Sequence, residues 1–235
     1  MRLSDLRRKY NLALKHPKGL RFFSELDQTA QEFAVDKERE SGNRFTDDDA
    51  SFLTEDFQQQ LTEKGFSSVK VFWSLGYCQG DGVAFYGRVY TDDLKAQDST
   101  AKTLIERLEK ADEEISIELT GANNWYHHRN SMTLEIDFEN ETDEEDLPSR
   151  YKIALPVWRE KLENYLSERI KEISSELEKS GYGEIEYRHS DEVIRQELND
   201  SENLYEKDGT FVMSESEFDQ WKKLESGKAM AAIQS

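Results

Sequence analysis

Apolar residues repeat with a helical period in two segments near the start of the chain. In residues 21–40 and 46–64 they recur at steps of three and four, which is typical of amphipathic helices. Thr46 followed by Asp49 predicts a capping box at the start of the second helix, and Gly65 predicts its end. The residues expected on the buried face of this helix are Phe52, Leu53, Phe57 and Leu61.

Four later segments are rich in β-branched and aromatic residues or alternate between apolar and polar side chains. Such segments are typical of strands with one buried and one solvated face. The predicted strands are residues 69–74, 83–90, 115–119 and 132–138, with a helix over residues 99–111 between the second and third. We expect two hairpins in one sheet. The sequence thus predicts an α+β fold in which a four-stranded antiparallel sheet packs against several helices.

Helical periodicity returns after Pro156, a residue type that favours the first turn of a helix. Apolar positions over residues 157–179 predict one long helix, which Gly181 is expected to end. The elements expected beyond it are a short strand over residues 183–187, a helix over residues 190–198 and a weaker segment over residues 203–212.

Charge and composition suggest three regions along the chain. The first 20 residues are basic, and they predict a short helix over residues 3–14 that docks on the acidic remainder of the protein. The acidic run over residues 139–146 predicts a solvated linker, and residues 225–235 predict a frayed end. The expected regions are an N-terminal helical region over residues 1–45, an α+β core domain over residues 46–212 and a C-terminal tail over residues 213–235.

The overall charge is strongly acidic. The chain has 50 Asp and Glu against 31 Lys and Arg, which gives a formal net charge of −19. Such a surface repels phosphate backbones and anionic lipids, so we expect no direct binding of nucleic acid and no membrane binding. It can instead attract proteins that themselves hold nucleic acid. A single cysteine and the lack of a signal-peptide core predict a cytoplasmic protein.

Glycine is concentrated in one short stretch. The chain has 12 glycines, and four of them lie between the first two predicted strands, at Gly76, Gly80, Gly82 and Gly87. This concentration predicts a shaped hairpin loop with at least one glycine at positive φ. The loop is either a plain glycine-bulged connection or a binding site. Its sequence is neither GxGxxG nor GxxxxGK[ST], so it is not a nucleotide fingerprint of those kinds.

A second polar loop over residues 121–131, GANNWYHHRNS, connects the other two strands. Adjacent His127 and His128 point to opposite faces of an extended segment, so we expect neither a metal site nor a cofactor. Cys78 could be combined with Asp81 and one of these histidines as a nucleophile, base and orienting group. We expect Cys78 to be inert, because it has an acidic neighbour instead of a positive one. No catalytic residue is assigned.

The two loops form one aromatic, hydrogen-bonding patch if both turn at the same end of the sheet. Such a mixture suits recognition of a planar polar ligand or of a protein surface, although the same residues can simply stabilise their loops. The residues expected to bind a ligand or partner are Tyr77, Gln79, Gly80, Asp81, Gly82, Trp125, Tyr126, His127 and Arg129.

Several separated motifs resemble a family of phage and prophage accessory proteins. They are SLGYCQGDGVAFYG from Ser74 to Gly87, with the pattern SxxxxQGDGxxFxG, then WYHHRNSMTLEID, a long helix, and HSDEVIRQELNDSENLYEKDGTFV. The resemblance covers about residues 50–212, whereas the first 45 residues and the Leu75-Gly76-Tyr77 stretch depart from the pattern. Such proteins are often labelled antitoxins of a toxin–antitoxin stability system.

The resemblance implies a protein that binds and neutralises a host or competing factor and not a catalyst. Together with the charge, it predicts an antitoxin-like or anti-defence inhibitor that can act as a nucleic-acid mimic. The alternative is a small-ligand or nucleotide-binding module, a sponge or hydrolase, that uses the loops over residues 76–82 and 121–131. A ligand module needs the two loops to wall a cleft. A protein-binding mimic needs acidic side chains gathered on one face.

Overall fold

The computed structural model describes residues 19–41, 44–121, 126–140, 148–214, 216–220 and 223. The chain forms two compact units, one of Met1–Arg44 with Tyr187–Ser235 and one of Phe45–Glu186. Residues 46–186 of the predicted core domain lie in the second unit, and residues 187–212 lie in the first. The predicted helix over residues 3–14, residues 141–146 of the predicted acidic linker and the predicted frayed end lie outside the described residues. The linker prediction is wrong for Glu139 and Asn140, which belong to β5.

The described elements follow in a fixed order along the chain. They are β1 (Arg21–Phe22), a 3-10 turn (Phe23–Glu25), α1 (Gln28–Glu40), α2 (Asp47–Glu63), β2 (Lys70–Ser74), β3 (Gly82–Val89), α3 (Thr91–Gln97), α4 (Ser99–Glu109), β4 (Glu113–Gly121), β5 (Met132–Asn140), α5 (Ser149–Arg188), α6 (Asp191–Asp200), β6 (Leu204–Tyr205) and β7 (Phe211–Met213).

The predicted α+β fold is confirmed. Strands β2, β3, β4 and β5 form one sheet in that order, and each neighbouring pair is antiparallel. Directly opposed residues such as Val71 and Phe85 lie on the face that contacts the hydrophobic core. Helices α2, α4 and α5 contribute buried side chains to the same core, so one face of the sheet is covered by helices.

Helix α2 confirms the predicted cap and corrects one core residue. The Thr46 hydroxyl accepts a hydrogen bond from the Asp49 backbone N–H, and the Asp49 carboxylate accepts one from the Thr46 N–H in return. Leu53, Phe57 and Leu61 recur every four residues and are buried. The prediction for Phe52 is wrong, because this side chain lies beside that stripe and is 66% exposed.

Helix α5 is much longer than predicted. It begins two turns before Pro156, which lies inside the helix, so the prediction that this proline marks the start is wrong. Gly181 does not end the helix either. A Cβ atom at this position would lie 2.8 Å from Phe57 Cζ, so glycine is the residue that lets the helix approach the core closely. The predicted strand over residues 183–187 is therefore helical.

The other unit contains a small sheet of β1, β6 and β7 with helices α1 and α6. The predicted helix over residues 21–40 starts only at Gln28, because Arg21 and Phe22 are extended and pair with β6. Helix α6 is confirmed, with the Ser190 hydroxyl accepting from the Val193 N–H. Buried Arg44 donates to the Arg188 carbonyl at 3.0 Å within this unit. No helix among the described residues carries an apolar stretch long enough to cross a membrane.

Candidate functional site

The carboxylate of Asp81 organises the glycine loop between β2 and β3. It accepts hydrogen bonds from the Ser74 hydroxyl at 2.7 Å and from the backbone N–H groups of Gly76 at 2.7 Å and Cys78 at 2.6 Å. Partial desolvation acts to raise the pKa of Asp81, but the three donors outweigh it and hold that pKa below its ordinary value. The Asp81 carboxylate therefore stabilises the loop by accepting hydrogen bonds from residues of the loop itself.

Positive backbone φ angles shape the same loop. Gly80 has φ 96° and Gly82 has φ 148°, and Gly87 further along β3 has φ 132°. The prediction that the hairpin contains a glycine at positive φ is confirmed. Tyr77 also adopts a positive φ, of 58°, which is uncommon for a residue with a side chain.

The described part of the second loop packs directly on the glycine loop. A Cβ atom on Gly80 would lie 2.6 Å from Tyr126 Cε1, so the tyrosine ring lies against the bare glycine backbone. A Cβ atom on Gly82 would lie 2.9 Å from both the His127 carbonyl oxygen and His128 Cβ. The structure thus brings the two loops together, as the patch prediction requires, and Tyr126 fills the space between them at Gly80.

An aromatic cluster on the sheet face that the helices leave open supports the second loop. His127 stacks on Phe72 of β2 with ring centroids 5.7 Å apart, and Tyr86 of β3 lies 5.5 Å from the same Phe72 ring. The ammonium of Lys70 is 5.4 Å from the Phe72 centroid. Among the described residues, His127 Nδ1 is buried and has no hydrogen-bond partner. His127 therefore acts mainly as a packed aromatic ring.

The predicted binding residues separate into two groups by exposure. Gly80, Asp81 and Gly82 build the loop, whereas Tyr77 at 67% and Tyr126 at 48% exposure present aromatic surface to solvent. The Tyr77 ring also packs on Tyr182 of α5, with centroids 4.5 Å apart. The remaining exposed members are Gln79 and Arg129, while Trp125 lies outside the described residues.

Cys78 is exposed, and its thiol donates to the Gly76 carbonyl at 3.5 Å. A catalytic arrangement would need Asp81 to orient a histidine that faces this thiol. The Asp81 carboxylate is instead turned onto Ser74 and the loop backbone. The hydrogen bonds found in the described chain include none between this thiol and either neighbouring histidine. The geometry does not assemble a nucleophile at this position.

A second feature of the open face was not singled out by sequence reasoning. Strand register places Glu118 directly opposite Glu135, Ser116 opposite Asp137 and Glu114 opposite Glu139. All of these side chains are exposed, and neither β4 nor β5 contains a Lys or Arg. We call this set the acidic face, and its members are Glu114, Glu118, Glu135, Asp137 and Glu139. The signal in the sequence was the repetition of acidic residues at alternate positions.

One ion pair lies at the start of β4 and also escaped sequence reasoning. The side chain of Glu113 is fully buried and accepts two hydrogen bonds from Arg159 of α5, at 2.8 and 2.5 Å. The guanidinium is also 5.3 Å from the centroid of Phe138 on β5. This contact joins α5 to both strands that carry the acidic face.

Comparisons with known proteins place the chain in one family. Neither a curated protein nor a solved structure shows significant similarity to the chain. One protein family, described as Domain of unknown function (DUF8835), matches residues 50–193. The matched region contains the four-stranded sheet, helix α5, the glycine loop and the acidic face. Because the match covers more than half of the 235 residues, the chain belongs to the DUF8835 family.

Proposed function

We propose that this protein binds and neutralises another protein by presenting its acidic face in place of a nucleic-acid backbone. The observation that carries the proposal is the arrangement of that face. Alternate residues of a strand lie about 6.6 Å apart and neighbouring strands about 4.8 Å apart. On this face β5 therefore carries an unbroken row of three carboxylates, and β4 carries two carboxylates on either side of Ser116. A regular array of negative charge on a stiff support is what a surface built for phosphates recognises.

Charge outside the acidic face supports the same function. The whole chain carries a net charge of −19, and a field of one sign steers a basic partner toward encounter. Basic residues on the open face lie on β2 and β3, where Lys70 contacts Phe72 and Arg88 lies opposite Glu118. Arg88 therefore borders the acidic face at Glu118, and Glu135 accepts a hydrogen bond from the Thr120 hydroxyl at 3.1 Å. The acidic side chains of β4 and β5 remain exposed to a positive surface.

Packing of the two loops favours a protein partner over a small ligand. The space between Gly80 and the second loop holds the Tyr126 ring, where a ligand module would need a cleft. The exposed rings of Tyr77 and Tyr126 are of the kind that protein interfaces enrich. The resemblance to phage and prophage accessory proteins directs the search for the partner to nucleic-acid-binding proteins of a bacterial host cytoplasm.

The test compares two variants that lose the same charge. Glu118→Gln, Glu135→Gln and Asp137→Asn together neutralise part of the acidic face, and Glu160→Gln, Glu163→Gln and Glu168→Gln remove three exposed carboxylates from α5 as a matched control. Proteins captured from host lysate by the wild-type chain are identified, and each is then measured for competition by duplex DNA and by RNA.

We expect captured partners to be displaced by nucleic acid, to bind the face variant at least ten-fold more weakly and to bind the control variant nearly as well as wild type. We also expect the affinity to fall as salt rises, because charge attraction is screened over about 10 Å at 0.1 M salt. The proposal is contradicted if a partner's affinity is unchanged both by raised salt and by the substitutions of the face variant.

A further inference from the structure

We propose that the outer edge of β5 accepts an extended strand from the partner, in which basic residues alternate with apolar ones. This inference rests on the proposed function and specifies how the partner is held. Strand β5 spans Met132–Asn140 and is the last strand of the sheet, and no described strand pairs with its outer edge. Within the described parts of the chain, no backbone hydrogen bond joins the outer edge of these nine residues to another segment. A strand edge with unpaired backbone donors and acceptors is the requirement for strand addition.

The two faces of β5 define the side chains that an added strand needs. Glu135, Asp137 and Glu139 point to the open face and are exposed. Leu134, Ile136 and Phe138 point to the other face, where they pack on the core while remaining only partly buried. Side chains on an added strand alternate in the same way. Its basic residues would meet the carboxylates, and its apolar residues would extend the core.

Charge argues against a second copy of this chain as the occupant. If β5 paired with β5 of another molecule so that both acidic sides lay on one face of the joined sheet, Glu135, Asp137 and Glu139 would lie beside carboxylates of the second molecule. Like charges directly opposite each other destabilise a strand pair. The same carboxylates that reject a second copy attract a basic strand, so the edge selects its partner by charge.

The other edge of the sheet differs in both length and charge. Strand β2 spans only Lys70–Ser74, and Lys70 and Phe72 occupy its open face. The positive charge of Lys70 would repel the basic residues of an added strand at this edge. The β2 edge thus serves as an internal comparison within the same molecule.

The test uses a nine-residue synthetic peptide of alternating lysine and valine, blocked at both ends. Its matched control has the same sequence with an N-methyl group on every residue, which keeps every side chain and removes the backbone donors along both peptide edges. Binding to the full chain is measured by fluorescence anisotropy. Hydrogen exchange is followed over residues 132–140 and over residues 70–74. A third peptide of alternating glutamate and valine is assayed against the Glu135→Lys, Asp137→Lys double variant.

We expect the lysine peptide to bind, to slow exchange over residues 132–140 and to leave residues 70–74 unchanged. The N-methylated peptide should bind at least ten-fold more weakly. The double variant should lose the lysine peptide and gain the glutamate peptide. Equal binding of the two lysine peptides without protection of β5 would overturn strand addition and leave the acidic-face proposal standing. No binding of the lysine peptide, or a dimer of the free protein protected at β5, would also overturn this inference.

Discussion

The ring of Tyr126 lies over Gly80 and occupies the space that any side chain at that position would need. Two loops that are far apart in the sequence thereby become one packed structure. The QGDG motif is accounted for by this packing: Gly80 accepts the ring, Asp81 ties the loop together, and Gly82 passes beneath His127 and His128. We therefore expect substitutions in the motif to lower the free energy of unfolding.

The change Gly80→Ala should destabilise the second unit by about 1–3 kcal/mol, since alanine at positive φ is strained and its Cβ must displace the Tyr126 ring. Urea unfolding measures the loss. The double variant with Tyr126→Ala should recover the part of the loss that comes from the clash and not the part that comes from φ. Strict additivity of the two changes would show that the ring contact does not exist.

The hydrogen bonds to Asp81 predict a pH dependence of stability. Because the folded pKa of Asp81 is lowered, its ionised form contributes stability that is present above the unfolded pKa of about 3.9 and is lost as pH falls through the folded pKa. The unfolding free energy of wild type should exceed that of Asp81→Asn by a constant amount above about pH 5, and the difference should shrink below about pH 4. A difference that grows on acidification would contradict the assigned hydrogen bonds.

Two glycines of helix α5 should respond in opposite directions to alanine. Gly183→Ala meets no atom within 4 Å and should stabilise the helix by about 0.5–1 kcal/mol. Gly181→Ala brings a Cβ atom against Phe57 and Leu75 and should destabilise by about 1–3 kcal/mol. Thermal unfolding of the two variants side by side is the measurement. Stabilisation by both would mean that α5 does not approach the core at Gly181.

Removing Arg159 should be among the most damaging single changes in the sheet unit. Arg159→Met removes the guanidinium that donates two hydrogen bonds to the fully buried Glu113 side chain, so we expect a loss of about 2–3 kcal/mol in the free energy of unfolding. The estimate is below that for a fully buried pair because Arg159 itself reaches solvent. The double variant Glu113→Gln, Arg159→Met should recover part of the loss, and a larger loss in the double variant would argue against this pairing.

The thiol of Cys78 should be dispensable. Cys78→Ser keeps the backbone N–H that donates to Asp81, and the thiol's hydrogen bond to the Gly76 carbonyl is one that a serine hydroxyl can also donate. Stability and affinity for a captured partner should stay within experimental error of wild type. Loss of function in a folded Cys78→Ser protein would instead favour the alternative in which Cys78 acts as a nucleophile.

The amino-acid sequence by itself determined the elements that depend on neighbouring residues. Runs of β-branched and aromatic residues predicted β2 and β3, and period-two alternation predicted β4 and β5, because alternation reports one buried and one solvated face. Capping chemistry located the start of α2, since Thr46 bonds to a backbone group three residues away. The glycine-rich hairpin followed from the same local reasoning, because a positive φ is a property of one residue.

Only the tertiary structure decided the features that join distant parts of the chain. Local reasoning treated Gly181 as a helix end, although contact with Phe57 and Leu75 makes it an interior packing position of α5. Strand order likewise makes β5 an edge strand, and strand register places its three carboxylates on the same face as the two of β4. Neither relationship can be read from one strand alone. Contacts between residues distant in sequence depend on which surfaces bury each other, and a local pattern records only that a surface is apolar.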